Sequence, residues 1–133
     1  MTGMGTFHVK FTLRNPAKLE RAIQLEGLVD SGAHFSQVPK TIFEQLGINP
    51  FGVRQVQYAD GTVVSKPVAS AEILINQEVA PTVVLSGEPN DLILIGALAL
   101  EGLNLGIDPI RKTLVPVVAP QAMANKEVFG EGQ

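Results

Sequence analysis

Leu28-Val29-Asp30-Ser31-Gly32-Ala33 is the stretch from which the fold of this chain is read. Two bulky apolar residues mark the end of a buried strand, and a carboxylate, a hydroxyl and a glycine then turn the chain. Gly32 can take backbone angles closed to other residues, so the turn can come close to a neighbour or a ligand. A carboxyl placed there is partly shielded from water. A second carboxyl beside it would split the two titrations, which is the arrangement that general acid–base chemistry uses. Asp-Ser-Gly taken alone is also an ordinary turn, because all three residues favour turns.

The flanking sequence supplies context. Upstream, Phe7-His8-Val9-Lys10-Phe11-Thr12-Leu13-Arg14 alternates apolar with polar residues, the period of a strand with one face on a core. Asn15-Pro16-Ala17-Lys18 interrupts it, and a second strand over residues 21–29 completes a hairpin that delivers Asp30 at its far end. His8 falls on the polar side and reads as a solvated residue. Downstream, residues 35–38 are extended, Pro39 opens a helix with Ile42, Phe43 and Leu46 on its apolar stripe, and Gly47 closes it. A longer hairpin follows over residues 53–75, turning at Asp60-Gly61. Gln55, Gln57, Tyr58, Asp60, Thr62, Ser65 and Lys66 make its outer part polar, which suits either a mobile projecting arm or an exposed turn.

Asn76-Gln77 makes the next turn, into a strand over residues 79–85 in which Pro81 favours an edge or a strand start. Leu92-Ile93-Leu94-Ile95-Gly96 is apolar on both faces, as a central strand would be, and leads into a short helix over residues 97–103. Leu105-Gly106-Ile107-Asp108 follows, Asp108-Pro109 begins a turn, and a last strand over 113–118 closes the pattern. The order Leu28-Val29-Asp30-Ser31-Gly32, helix, Leu46-Gly47-Ile48 is echoed by Leu94-Ile95-Gly96, helix, Leu105-Gly106-Ile107, which suggests two similar halves. Only the first half carries the acid.

A chain of 133 residues accommodates one domain with a real core, placed here at residues 7–118 between an arm (1–6) and a loose or partner-ordered tail (119–133). Hydrophobic residues at 45 % against 17 % charged exclude a disordered protein and favour a strand-rich fold. Residues 92–100, the longest apolar run, are broken by Gly96 and too short to span a bilayer. No basic-then-apolar start is visible, so no membrane partner is expected and a cytoplasmic location is the default. The absence of cysteine removes disulfides, thiolate nucleophiles and cysteine-based zinc sites, and the two histidines have no ligand spacing, so no metal is expected. A net charge of −3 and a pI near 5.3, with scattered Lys and Arg, argue against nucleic acid and for a peptide or small-molecule partner.

Three features taken in order resemble the retropepsins, the retroviral-type aspartic proteases, and especially their prokaryotic single-domain relatives: Leu28-Val29-Asp30-Ser31-Gly32-Ala33, then Tyr58-Ala59-Asp60-Gly61, then Leu94-Ile95-Gly96 with its helix. The resemblance covers roughly residues 7–118. It implies a mostly β, closed barrel with one or two short helices that works as a symmetric homodimer on polypeptide substrates, with no cofactor and no metal. Each chain would lend Asp30 to a cleft on the twofold axis. Ser31 would brace the two acid turns, Gly32 would let substrate backbone approach, and Ala33 completes the signature. Tyr58, Ala59, Asp60 and Gly61 would form the tip of a flap, although a tyrosine there could equally be a packing residue.

The chain also departs from the pattern. Retroviral enzymes commonly place an aspartate after the alanine and pair it with an arginine after the second glycine, where this sequence has His34 and Ala97. The dimer brace must then be built differently, and His34 either contacts substrate or caps the turn. A non-catalytic dimer that grips peptides by strand addition is the alternative reading, but such a binder has no need of an acid in a dry cleft. Ser31 lacks the flanking glycines of a nucleophile elbow, which disfavours a serine hydrolase.

Overall fold

A computed structural model describes residues 6–123, and within them nine strands and two short helices make up the regular structure. β1 (Phe7–Asn15) and β2 (Lys18–Val29) form an antiparallel hairpin in register from Phe7↔Val29 to Arg14↔Ala22. The alternation along β1 puts Phe11 and Leu13 in the core, while His8 and Lys10 stay exposed. Asn15 is buried at the turn: its Oδ1 accepts the Ala17 amide (2.8 Å) and its Nδ2 donates to the Leu46 carbonyl (2.9 Å). The residue that ends the strand thereby docks the end of the first helix. β2 starts three residues earlier than the polar sequence after Pro16 suggests, because Asn15↔Lys18 pairing carries the ladder into the turn.

β3 (Ser36–Pro39) leads directly into α1 (Lys40–Leu46). Pro39, with φ −60° and ψ 150°, is the N-cap and last strand residue rather than the first helical one. Gly47 closes the helix in the left-handed region at φ +69°, where its N–H reaches back to the Glu44 carbonyl. Phe43 and Leu46 are buried, each a contribution of about 1.5–3 kcal/mol by area. β4 (Gly52–Gln57) and β5 (Val63–Ile75) form the second hairpin, and β5 turns at Asn76-Gln77 into β6 (Glu78–Gly87). β7 (Leu94–Ile95), α2 (Ala97–Gly102), β8 (Leu105–Asp108) and β9 (Thr113–Pro116) complete the described chain, with β8 and β9 as a separate two-stranded ladder.

The large sheet has the order β1-β2-β7-β3-β6-β5-β4, and β1 pairs a second time, with β5, from Thr12↔Leu74 to Arg14↔Glu72. An ion pair between Arg14 and Glu72 (2.7 Å) lies on that seam. Although β2 and β3 are consecutive, β7 is inserted between them, parallel to β2 and antiparallel to β3. β3 runs parallel to β6 only at Val84–Gly87, so Pro81, opposite Glu72 on β5, has no β3 residue on its other side. The core joins Leu13, Val29, Val38, Leu46, Ile73 and Ile95 across these layers.

Two further sequence readings are revised. The run 92–96 supplies only a two-residue strand, and Leu92 is 62 % exposed because it still belongs to the incoming loop. The last strand ends at Pro116 rather than at residue 118, with Val118 exposed. Residues 119–123 are exposed and outside any regular element, while residues 1–5 and 124–133 of the expected arm and tail lie outside the described residues. Among the described residues no helix is long and apolar enough to cross a membrane.

Candidate active site

The two echoing stretches lie side by side. Leu28 pairs with Leu94 and Val29 with Ile95 in the parallel β2–β7 ladder, so Asp30 leaves the sheet next to Gly96. The Asp30 amide donates to the Ile95 carbonyl (3.0 Å), which fixes the point at which the turn begins. Within the turn, Asp30 Oδ1 accepts the Gly32 N–H (2.9 Å) and the Asp30 carbonyl accepts the Ala33 N–H (3.1 Å). The carboxylate is thus oriented by its own backbone while the residue remains half-buried.

The second turn is packed against the first through backbone. A Cβ on Gly96 would lie 2.6 Å from the carbonyl carbon and oxygen of Phe35 and 2.8 Å from the Ala33 oxygen, so only glycine fits. The Gly96 N–H donates to Ser36 Oγ (3.0 Å), a buried hydroxyl on β3. Ala97 N–H donates to the Ala33 carbonyl (2.8 Å) and Leu98 N–H to the His34 carbonyl (3.0 Å). Positions 34 and 97 are thus held by main-chain hydrogen bonds between these two turns.

A cavity of about 680 Å³ opens beside Asp30, lined by Gly32, Ala33, His34, Gln37 and Leu94 on one side and by residues 55–59 of the second hairpin on the other. Acid turn and hairpin therefore face a common space. At the hairpin tip the Tyr58 amide donates to the Thr62 carbonyl (2.8 Å), the Gly61 amide to the Tyr58 carbonyl (2.9 Å) and the Thr62 amide to Asp60 Oδ1 (2.9 Å). The Thr62 backbone amide, with its hydroxyl, holds the Asp60 carboxyl below the usual carboxylate range. Gly61 sits at φ +90° with open space around it, so the tip needs glycine for its angles and not for room.

The match to the aspartyl protease family spans residues 16–97, from the β1–β2 turn through the acid turn and the hairpin to the residue after Gly96. The chain belongs to the aspartyl protease family. This aspartyl protease is similar in fold to the solution structure of simian foamy virus (mac) protease, at a TM-score of 0.51 and 18 % identity over 71 % of this chain and 92 % of that one. No curated protein sequence matches it.

Of the residues singled out from sequence, Asp30, Gly32, Ala33, His34, Tyr58 and Ala59 line the aspartyl protease's cavity. Ser31 is exposed beside it, and Asp60 and Gly61 form the hairpin tip without lining it. His34 packs edge-on against Phe35 with ring centroids 4.6 Å apart. Leu94 of the second signature lines it too, as do Phe35, Gln37, Val56 and Leu85, and Ser36 braces Gly96 from behind; the sequence reading gave these last five no place in the site. Their one sequence signal was the two-residue period that brings Phe35 and Gln37 to the same face of a short extended piece. A second cavity, about 550 Å³, lies among β1, β2 and the β5–β6 turn, and its two charged residues, Lys10 and Glu26, are register partners. Among the described residues no group of three or more His, Asp or Glu is placed to hold a metal ion.

Proposed function

We propose that this aspartyl protease is a retropepsin-like endopeptidase that acts as a homodimer, with Asp30 from each chain forming the catalytic pair. The observation that carries this reading is the shared cleft. One carboxylate on a glycine-bearing turn faces a hairpin long enough to cover a bound peptide, and the second carboxylate that hydrolysis needs must come from another copy. The additional β1–β5 pairing supports a barrel that closes on itself.

Two like charges held within a few ångströms do not both ionise readily, so the Asp30 pair would share one proton and titrate as a unit. In the reaction, the ionised carboxyl takes a proton from a water held between the two, and the water oxygen bonds to the peptide carbonyl carbon. The protonated partner donates to the developing gem-diol oxygen. Collapse of the tetrahedral intermediate breaks the C–N bond as a proton passes to the leaving amine. Gly32 gives the peptide backbone room, Ser31 braces the turn across the twofold axis, and the Tyr58-Ala59-Asp60-Gly61 tip acts as a flap that excludes water. His34 lies where it can touch a substrate side chain.

Digestion of a random peptide library by the wild-type chain beside Asp30→Asn tests the proposal. Cleavage should vanish in the variant, be blocked by a statine-type mimic of the gem-diol, and persist with a chelator or a serine reagent present. Loss of cleavage on chelation with indifference to the mimic would discard the mechanism. A wild-type chain that binds library peptides as tightly as Asp30→Asn but cuts none would instead identify a peptide-binding dimer.

A further inference from the structure

The two faces of the second hairpin differ. Register partners Arg54↔Lys66 and Val56↔Val64 share one face, on which Lys66, Val56 and Val64 are half-buried, whereas Val53, Gln55, Gln57, Val63 and Ser65 on the other are exposed. From the inner face the Lys66 ammonium reaches Asp91 Oδ2 at 2.9 Å, with side chains 13 % and 33 % exposed. The same carboxylate oxygen accepts the Glu88 amide (2.8 Å), and the Glu88 carbonyl accepts the Asp91 amide (3.0 Å), so the loop between β6 and β7 is wound around this one side chain.

That loop is itself fixed to the cleft. A Cβ on Gly87 would lie 2.9 Å from Asp91 Oδ2, so the carboxylate occupies space that only a glycine leaves open. One residue further on, Gln37 Nε2 donates to the Leu92 carbonyl (3.1 Å) from the buried end of a side chain that lines the cleft. At the other end, the Tyr58 hydroxyl favours the charged form of Lys66. Lys66, Asp91, Leu92 and Gln37 therefore connect the second hairpin to the cleft floor, while neither Lys66 nor Asp91 lines the cavity. A partly buried ion pair contributes little net stability, but removing one member strands the other, so its main effect is to single out one arrangement.

We propose that Lys66 and Asp91 are positioning residues: their ion pair is a latch that holds the hairpin at the height where Tyr58 and Asp30 share one cleft, and it thereby sets how firmly an extended peptide is gripped. The grip on substrate rests on the endopeptidase reading, whereas the latch itself does not. Both are tested with Lys66→Met, which keeps the apolar stem, Asp91→Asn, which keeps the shape, and Lys66→Arg, which keeps the charge. Hydrogen exchange at the Tyr58 and Gly61 amides should quicken about tenfold in the first two variants and stay near wild type in the third, with the β5–β6 core protected throughout. On a peptide recovered from the wild-type library digest, the first two should raise KM about five- to tenfold with kcat within about twofold, and Lys66→Arg should restore it. Unchanged exchange overturns the latch whatever the kinetics. Faster exchange with an unchanged KM overturns its hold on substrate, and a wild-type chain that cuts nothing removes the endopeptidase reading while exchange still decides the latch.

Discussion

Ser36 Oγ accepts the amide N–H of Gly96 at 3.0 Å, a buried contact between residues 60 apart in sequence. Through it, β3 braces the turn that packs on the Asp30 loop, so a side chain without a part in the chemistry fixes where the acid emerges. Ser36→Ala removes the acceptor and leaves the Gly96 N–H buried and unpaired, at a cost of about 1–3 kcal/mol. Thermal unfolding should shift down by several degrees with an unaltered far-ultraviolet circular dichroism spectrum.

Glycines 96 and 61 should both resist substitution, but for different reasons and to different extents. Gly96→Ala drives a methyl into the Phe35 and Ala33 backbone, which cannot yield as a side chain would. Loss of about 3 kcal/mol or more is expected in urea unfolding. Gly61→Ala meets nothing and faces only its φ of +90°, so its penalty of about 1–2 kcal/mol should be confined to the hairpin tip and visible in local exchange.

Acid and base should loosen the Lys66–Asp91 contact at opposite ends of the pH scale. The Lys66 hydrogen bond, followed by the Glu88 amide, lowers the Asp91 pKa below its ordinary 3.8, so its stabilisation is complete above that value and is lost as pH falls through the folded-state pKa. For Lys66, desolvation opposes the charge, yet the Asp91 hydrogen bond and the Tyr58 hydroxyl outweigh it and raise the pKa above 10.5. Its contribution is complete below 10.5 and is lost as pH rises through the folded value. Asp91→Asn should therefore destabilise by roughly 1–2 kcal/mol in urea unfolding at neutral pH, with a deficit that shrinks toward zero in strong acid.

Thr82 offers a change in the favourable direction. It is 6 % exposed, and its Oγ1 has no hydrogen-bond partner among the described residues. Thr82→Val keeps the shape and removes the unpaired group, so the unfolding midpoint in urea should rise by the equivalent of about 1 kcal/mol. A fall in the midpoint would mean that the hydroxyl has a partner.

What could be read from the sequence was local. The alternation of β1 revealed a half-buried strand, Asp60-Gly61 revealed the second hairpin, and the repeat of Leu28-Val29 in Leu94-Ile95 marked two segments that pair in parallel. Neighbour relations were not legible, because a two-residue period reports which face is buried and not which strand lies alongside. Nothing near Leu94 announces insertion between β2 and β3. The contacts of Ser36, Gln37 and Lys66 escaped for the same reason: their partners Gly96, Leu92 and Asp91 lie 60, 55 and 25 residues away, and a polar side chain out of solvent has no signature apart from the partner that satisfies it.

Mixing wild-type chains with Asp30→Asn chains tests the pairing of two Asp30 residues most directly. If each active unit needs an Asp30 from both copies, adding an equal amount of the variant and letting subunits exchange should lower cleavage at fixed wild-type concentration to about half, and larger excesses should drive it toward zero. Cleavage that stays at the wild-type level through every mixture, with exchange of subunits demonstrated, would contradict the account.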